Sequence, residues 1–195
     1  AGAVYQTVDG TVLLRGTTYS VFNGYDFRTG EDESVGWLAG VAYQIPEIAL
    51  KASVTYRAEI EHKMNAYENF GSTTIPQHPL TPLISTITST NSETKLTTPQ
   101  SINIDFQTGI MANTVAFANL RWVDWSNFKV QPYNFAKLSK VVGQNPTINK
   151  PNGFNLIDYK EDQISATVGV GRKFNERWGG NVSVGWDSGA GNPVT

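Results

Sequence analysis

Between residues 49 and 63 the chain reads ALKASVTYRAEIEHK, where Leu50, Ala52, Val54, Tyr56, Ala58 and Ile60 alternate with Lys51, Ser53, Thr55, Arg57, Glu59 and Glu61. An extended chain turns successive side chains to opposite faces, so the run reads as one strand with an apolar and a charged face. Strands of soluble domains run about five or six residues, whereas a tilted strand needs about nine to eleven to cross a hydrocarbon core. The run is long enough to cross a bilayer. In that setting Leu50, Val54, Tyr56 and Ile60 are expected on the outside of a curved sheet, with Lys51, Arg57 and Glu59 on its concave side.

The alternation recurs. Trp37, Ala39, Val41, Tyr43 and Ile45 share a face, as do Ile102, Ile104, Phe106 and Ile110; Ala116, Ala118, Leu120, Trp122, Phe128 and Val130; Ile164, Ala166, Val168 and Val170; and Trp178, Val182, Val184 and Trp186. A first segment over 4–19 is less regular, although Val8, Val12 and Leu14 have one parity, and the count comes to about seven strands. Short turns are expected at Ile45-Pro46-Glu47, Ala112-Asn113-Thr114 and Asn175-Glu176-Arg177, and long polar loops over 20–34, 67–98 and 131–155. Strict alternation of short and long links is the connectivity of an antiparallel membrane barrel, and a loop of some thirty residues counts against a compact soluble domain. Tyr43 and Trp178 beside the short turns, with Trp37, Phe128 and Trp186 toward the long loops, are placed for two interfacial girdles.

Composition agrees without deciding. Of 195 residues 39% are hydrophobic and no window approaches a transmembrane helix, which does not exclude a barrel, where every second residue faces lipid. The net charge of -2, with no long basic run, argues against nucleic acid as a partner. Cysteine is absent, so disulfides and thiolate metal sites are excluded. The residues at both ends, Ala1-Gly2-Ala3 and Gly191 through Thr195, suggest a segment of a longer protein.

No catalytic constellation emerges. Glu59 and Glu61 lie about 6.5 to 7 Å apart on one strand face, a spacing that could suit paired carboxylates, but with Lys51, Arg57 and Lys63 on the same face the stronger reading is a mixed-charge row facing water or a hydrated lumen. His62 and His78 have no partner at ligand or triad spacing, so each reads as a solvated histidine. No metal, cofactor or enzymatic activity is expected. Apolar residues within the loop at 72–98, namely Ile75, Leu80, Leu83, Ile84 and Ile87, offer surface for a ligand groove or simply belong to a polar, low-complexity stretch.

The order of motifs resembles the FadL-type outer-membrane transporters of long-chain fatty acids and other hydrophobic compounds. The resemblance rests on G-W-x-A-G-x-x-Y from Gly36, T-Y-R-A-E from Thr55, W-S-x-F at Trp125 to Phe128, and the ending from Trp178 to Trp186-Asp187-Ser188. It implies an all-β, antiparallel transmembrane barrel of about fourteen strands, in the outer membrane of a Gram-negative bacterium, of which residues 1–195 supply about seven middle-to-late strands of one domain. The N-terminal hatch and C-terminal strands of that family fall outside the sequence. The resemblance further implies passive uptake: capture at extracellular loops, transfer to an interior pocket, contact with outer-membrane lipid and lipopolysaccharide, and a monomer when complete. Arg15 matches the family's interior carboxylate-binding arginine as well as it matches an ordinary lumen charge. The partner lysine has no counterpart, since the aligned position is near Asn155, with Lys150 and Lys160 nearby. Uncharged hydrophobic substrates therefore stay open beside fatty acids. The rival readings are a general diffusion porin or adhesin-like barrel and, disfavoured by strand length, a soluble β-sandwich.

Overall fold

A computed structural model describes residues 1–70 and 89–191. Its strands are β1 (Gly2–Val8), β2 (Thr11–Leu13), β3 (Asp26–Thr29), β4 (Asp32–Ile45), β5 (Leu50–Arg57), β6 (Ile60–Asn69), β7 (Ser89–Thr98), β8 (Ser101–Met111), β9 (Thr114–Val123), β10 (Lys129–Val130), β11 (Ile157–Asp158), β12 (Gln163–Lys173) and β13 (Gly179–Asp187), with one helix, α1 (Tyr133–Gly143). Seven strands form an antiparallel wall in the order β1-β4-β5-β8-β9-β12-β13. Four more, β2-β3-β6-β7, form a second sheet. Each of these continues a wall strand across a two-residue break: Asp9-Gly10, Gly30-Glu31, Ala58-Glu59 and Pro99-Gln100.

The wall has the expected seven strands and three short turns. A single 3-10 turn, Pro46–Ile48, joins β4 to β5, and Ala49 and Asn113 close their turns with φ of 51° and 55°. Cross-strand register aligns the alternation of one strand with that of the next. One row runs Val41, Val54, Ile104, Leu120, Ala166, Trp186; another runs Tyr43, Ala52, Phe106, Ala118, Val168, Val184. Most of this face is solvent-exposed in the chain, with Val182 77% and Trp178 71% accessible, as a surface destined for hydrocarbon must be. The opposite face carries Ser53, Asp105, Asn119 and Thr167 in one row, with Asp105 accepting from the Ser53 hydroxyl (3.4 Å) and the Asn119 amide (2.7 Å).

Above the breaks that separate β3 from β4, β5 from β6 and β7 from β8 the pattern inverts, whereas Val8 and Val12 face the same side across Asp9-Gly10. In β6 it is Ile60, His62, Met64, Ala66 and Glu68 that are buried, while Glu61, Lys63, Asn65 and Tyr67 are not. The inward residues of β7 are likewise Thr94 and Leu96, whereas in β8 the apolar residues face outward. Pairing between the strands continues without a slip, from Arg57↔Ser101 to Ile60↔Thr98. For these strands the change is therefore in which face they present, not in which residues pair. Below the break apolar side chains must face lipid; above it they must leave water for a core. That core contains Val21, Phe22, Tyr25, Phe27, Met64, Phe70, Leu96, Val130, Phe135 and Leu138.

Five expectations are corrected by this inversion and by the upper core. Ile60 is not on the outer face with Val54: it is buried over Gly36, where a Cβ would lie 2.5 Å from Ile60 Cγ1, so only glycine admits it. Phe128 and Val130 do not continue the apolar face of β9, because a 3-10 turn at Trp125–Asn127 redirects the chain and both pack inward, which also removes Phe128 from the girdle. The segment over 4–19 is not one strand; Tyr19 lies in a 3-10 stretch, Thr17–Phe22. The loop over 131–155 contains α1, and the strands reach into the other two long loops, with β3 at Asp26–Thr29 and β6 and β7 extending to Asn69 and from Ser89. His62 is buried, not solvated, with Nδ1 2.9 Å from Asp32 Oδ2; His78 lies outside the described residues.

If the apolar rows face hydrocarbon, Val54→Lys, in the middle row, destabilises the protein folded in lipid vesicles by about 2–4 kcal/mol. Thr55→Lys, on the polar face next to it, costs far less. Equal losses in urea titrations of the two variants would contradict the assignment of faces.

Candidate functional site

The upper core is closed by two pieces of chain that touch at a groove. One is the 3-10 stretch Thr17–Phe22, which buries Val21 and Phe22. The other is α1, in which Phe135, Leu138 and Val142 recur at helical spacing and turn one face to the core. Between them lies a cavity of about 610 Å³. Tyr19, Val21 and Phe22 form one side, Val141, Val142 and Ile148 the other, and Phe135, Phe154 and Leu156 the floor. Tyr19, Val141 and Ile148 are exposed at its mouth. The groove side of α1 depends on a tight return of the chain: Gly143 O accepts from Lys150 N at 2.9 Å, and a Cβ at Gly143 would come within 1.9 Å of Lys150 O.

One side chain holds both pieces. Glu68, fully buried on β6, accepts four hydrogen bonds: from Tyr25 OH (3.0 Å), Ser92 Oγ (3.2 Å), and the backbone N–H groups of Asn134 (2.9 Å) and Phe135 (2.8 Å). Pro132 stands at the helix N-cap and supplies no side-chain cap, so the carboxylate from the sheet takes that place and meets the positive end of the helix dipole. A buried carboxylate is costly without such partners. Tyr25 belongs to the segment that follows the 3-10 stretch, and its ring packs on Phe70 and Phe135 at 4.8 and 5.3 Å. Burial first, and then the Glu68 charge and hydrogen bond, push the Tyr25 hydroxyl pKa up from its ordinary value.

The residues singled out from the sequence do not assemble into one site. Arg15 follows the groove residue Leu14, but its guanidinium donates to the carbonyls of Leu14 and Tyr25 (3.0 Å each) and pairs with Asp26, fastening the base of the loop. Its side chain is 52% exposed. Ile75, Leu80, Leu83, Ile84 and Ile87 lie outside the described residues. Lys51 and Arg57 share the polar face of β5, Glu59 is exposed at the break, and Glu61 is on the outward face of β6, 3.5 Å from Lys63 and 3.8 Å from Lys95. The inversion between Arg57 and Ile60 thus splits the expected charge row in two and leaves Glu61 in an ion cluster. The groove residues of α1 and Glu68 went unselected from the sequence; the i, i+3, i+7 spacing of Phe135, Leu138 and Val142 was the available signal for the helix.

Residues 17–181 match the family model described as outer membrane protein transport protein (OMPP1/FadL/TodX). A crystal structure of a Pseudomonas aeruginosa FadL homologue superposes with a TM-score of 0.57 at 15% identity, over 97% of this chain and 44% of that one. The chain therefore spans less than half the length of that structure, and the likeness concerns the fold. No curated protein matches significantly.

Because the folded-state pKa of Tyr25 is raised, the stability it contributes is complete below about pH 10, the ordinary tyrosine value, and falls as pH rises beyond it. Limited proteolysis within 131–156 should increase from that pH in the wild type and not in Tyr25→Phe. Glu68→Leu should loosen α1 at every pH, by about 1–3 kcal/mol for the donors left unpaired. Alkaline sensitivity unchanged in Tyr25→Phe would refute the assignment.

Proposed function

The chain belongs to the OMPP1/FadL/TodX family of outer membrane transport proteins, and from that premise we propose that the complete protein passes hydrophobic small molecules, long-chain fatty acids among them, through the bacterial outer membrane by binding them first in the groove beside α1. The observation that carries this reading is the groove itself: an apolar cleft of about 610 Å³, on the side of the breaks where the sheet turns its charged residues outward. That volume falls in the ordinary range of small-molecule sites, about 300–1,000 Å³.

The driving force is apolar burial, about 0.8 kcal/mol per methylene moved from water into the cleft. Such binding is selective for hydrocarbon and reversible, so passage down a gradient requires no coupled reaction. The reading is of a passage and not of a catalyst. Ile75, Leu80, Leu83 and Ile84 are candidates for further apolar surface in capture, and Arg15 acts on this reading by bracing the loop that carries Leu14. The polar inner row of Ser53, Asp105 and Asn119 suits a hydrated interior below the core.

The exposed rim residues allow a test that spares the core. The double variant Val141→Asp/Ile148→Asp of the full-length protein in detergent should bind a neutral fluorescent alkyl probe at least tenfold more weakly, with no change in the permeation of small sugars through liposomes. Undiminished probe binding would overturn capture at the groove. Sugar permeation without any probe binding in the wild type would favour the diffusion-porin reading.

A further inference from the structure

The groove beside α1 has Leu156 in its floor. A second cavity, of about 290 Å³, lies at the top of the wall on its hydrated side, among Ile60, Thr98, Ser101, Val123, Trp125 and Phe128. Leu156 and Phe128 flank one small element, the ribbon β10–β11, in which Lys129 pairs with Asp158 and Val130 with Ile157. Alternation across these pairs turns Lys129 and Asp158 outward, where both are exposed, and turns Val130 and Ile157 against the upper core. Phe128 and Leu156 pack on that core as well, so the four side chains form an apolar track from the groove to the lower cavity.

The ribbon is lightly tied along this track. Among the described residues it is a sheet of its own, its ladder joined to neither the wall nor the upper sheet, although β10 runs beside β7. It has two residue pairs, continued by one bond from Leu156 N to Val130 O at 2.9 Å. Its base is fixed to the wall: Asp162 accepts from Trp122 Nε1 (3.0 Å) and Ser126 N (3.2 Å), and Trp125 Nε1 donates to Gln163 Oε1 (2.9 Å). The Phe128 ring stands where base and ribbon meet, 5.4 Å from the Trp125 ring and 5.8 Å from that of Tyr159. At the other end Glu68 holds the first N–H groups of α1. A segment with few backbone bonds between two anchored ends opens locally at lower cost than the sheets around it.

We propose that β10–β11 is the gate between the groove and the interior. It bows outward between its two anchors, a hydrocarbon chain slides from Leu156 past Ile157 and Val130 into the lower cavity, and the Phe128 ring closes the lower end between passages. The inference rests on the proposed capture at the groove and adds the step that follows it: binding sets how much cargo is held, and the ribbon sets how fast it leaves.

A tether across the gate tests this, and residues 1–195 contain no cysteine to interfere. Lys95 and Lys129 both point outward, on β7 and on β10 beside it. In the full-length protein, Lys95→Cys/Lys129→Cys is bridged by a short bis-maleimide, with the bridge verified by mass. Passage of a neutral fluorescent alkyl probe into liposomes should then slow about tenfold at saturation, while probe affinity in detergent stays that of the wild type. The same variant carrying two separate maleimides should pass the probe at the wild-type rate. Phe128→Ala should raise the saturated rate about threefold without changing the half-saturating concentration. Wild-type passage through the bridged protein overturns the proposal. So does a parallel fall in rate and affinity, the result of a purely structural role, and so does a Phe128→Ala rate that is unaltered or lower. Failure of capture at the groove is read separately, because probe affinity then survives Val141→Asp/Ile148→Asp whatever the bridge does to the rate.

Discussion

A strand that runs out of hydrocarbon into water while one side of it stays against protein has to exchange its faces, and most of this structure follows from that exchange. Within the membrane the surrounding solvent is apolar, so Val41, Val54, Ile104 and Val168 point outward and the hydrated side takes Ser53, Asp105 and Asn119. Beyond it the surroundings are aqueous, so Met64, Ala66, Leu96 and Phe27 turn inward and Lys63 and Lys95 turn out. The break between β5 and β6 and that between β7 and β8 make the exchange without disturbing the pairing of these strands, and their backbone ladder continues from wall to upper sheet. Between these paired strands the hydrogen-bonding demand of the backbone is met across the breaks, and only the side chains change partners.

The upper sheet by itself would expose the inner face it has just formed. Thr17–Phe22 and α1 cover that face, and Glu68 fixes both by accepting from Tyr25 and from the first free N–H groups of the helix. The groove is what remains between two covers whose spacing is set by one carboxylate. Its apolar lining and its fixed width have the same origin, because the residues that seal the core also form its walls.

The wall was legible in the sequence, and the site largely was not. Alternation with period two in 37–45, 50–56, 102–106 and 164–170 determines strands, faces and, through the short turns at Pro46, Asn113 and Glu176, a meander; these are local properties, set by the geometry of an extended chain. The same alternation extrapolated through Ala58 puts Ile60 and Glu61 on the wrong faces, because period two carries no information about where the surroundings change. Helical spacing in 133–143 was present but short, and lay inside a stretch rich in Asn, Lys and Gly. The cap of α1 by Glu68 joins residues more than sixty positions apart. The sequence by itself determined a membrane-crossing antiparallel sheet, because each strand writes its two environments into its own residues; tertiary structure alone decided the core and the groove, because these depend on which distant segments fold over which face.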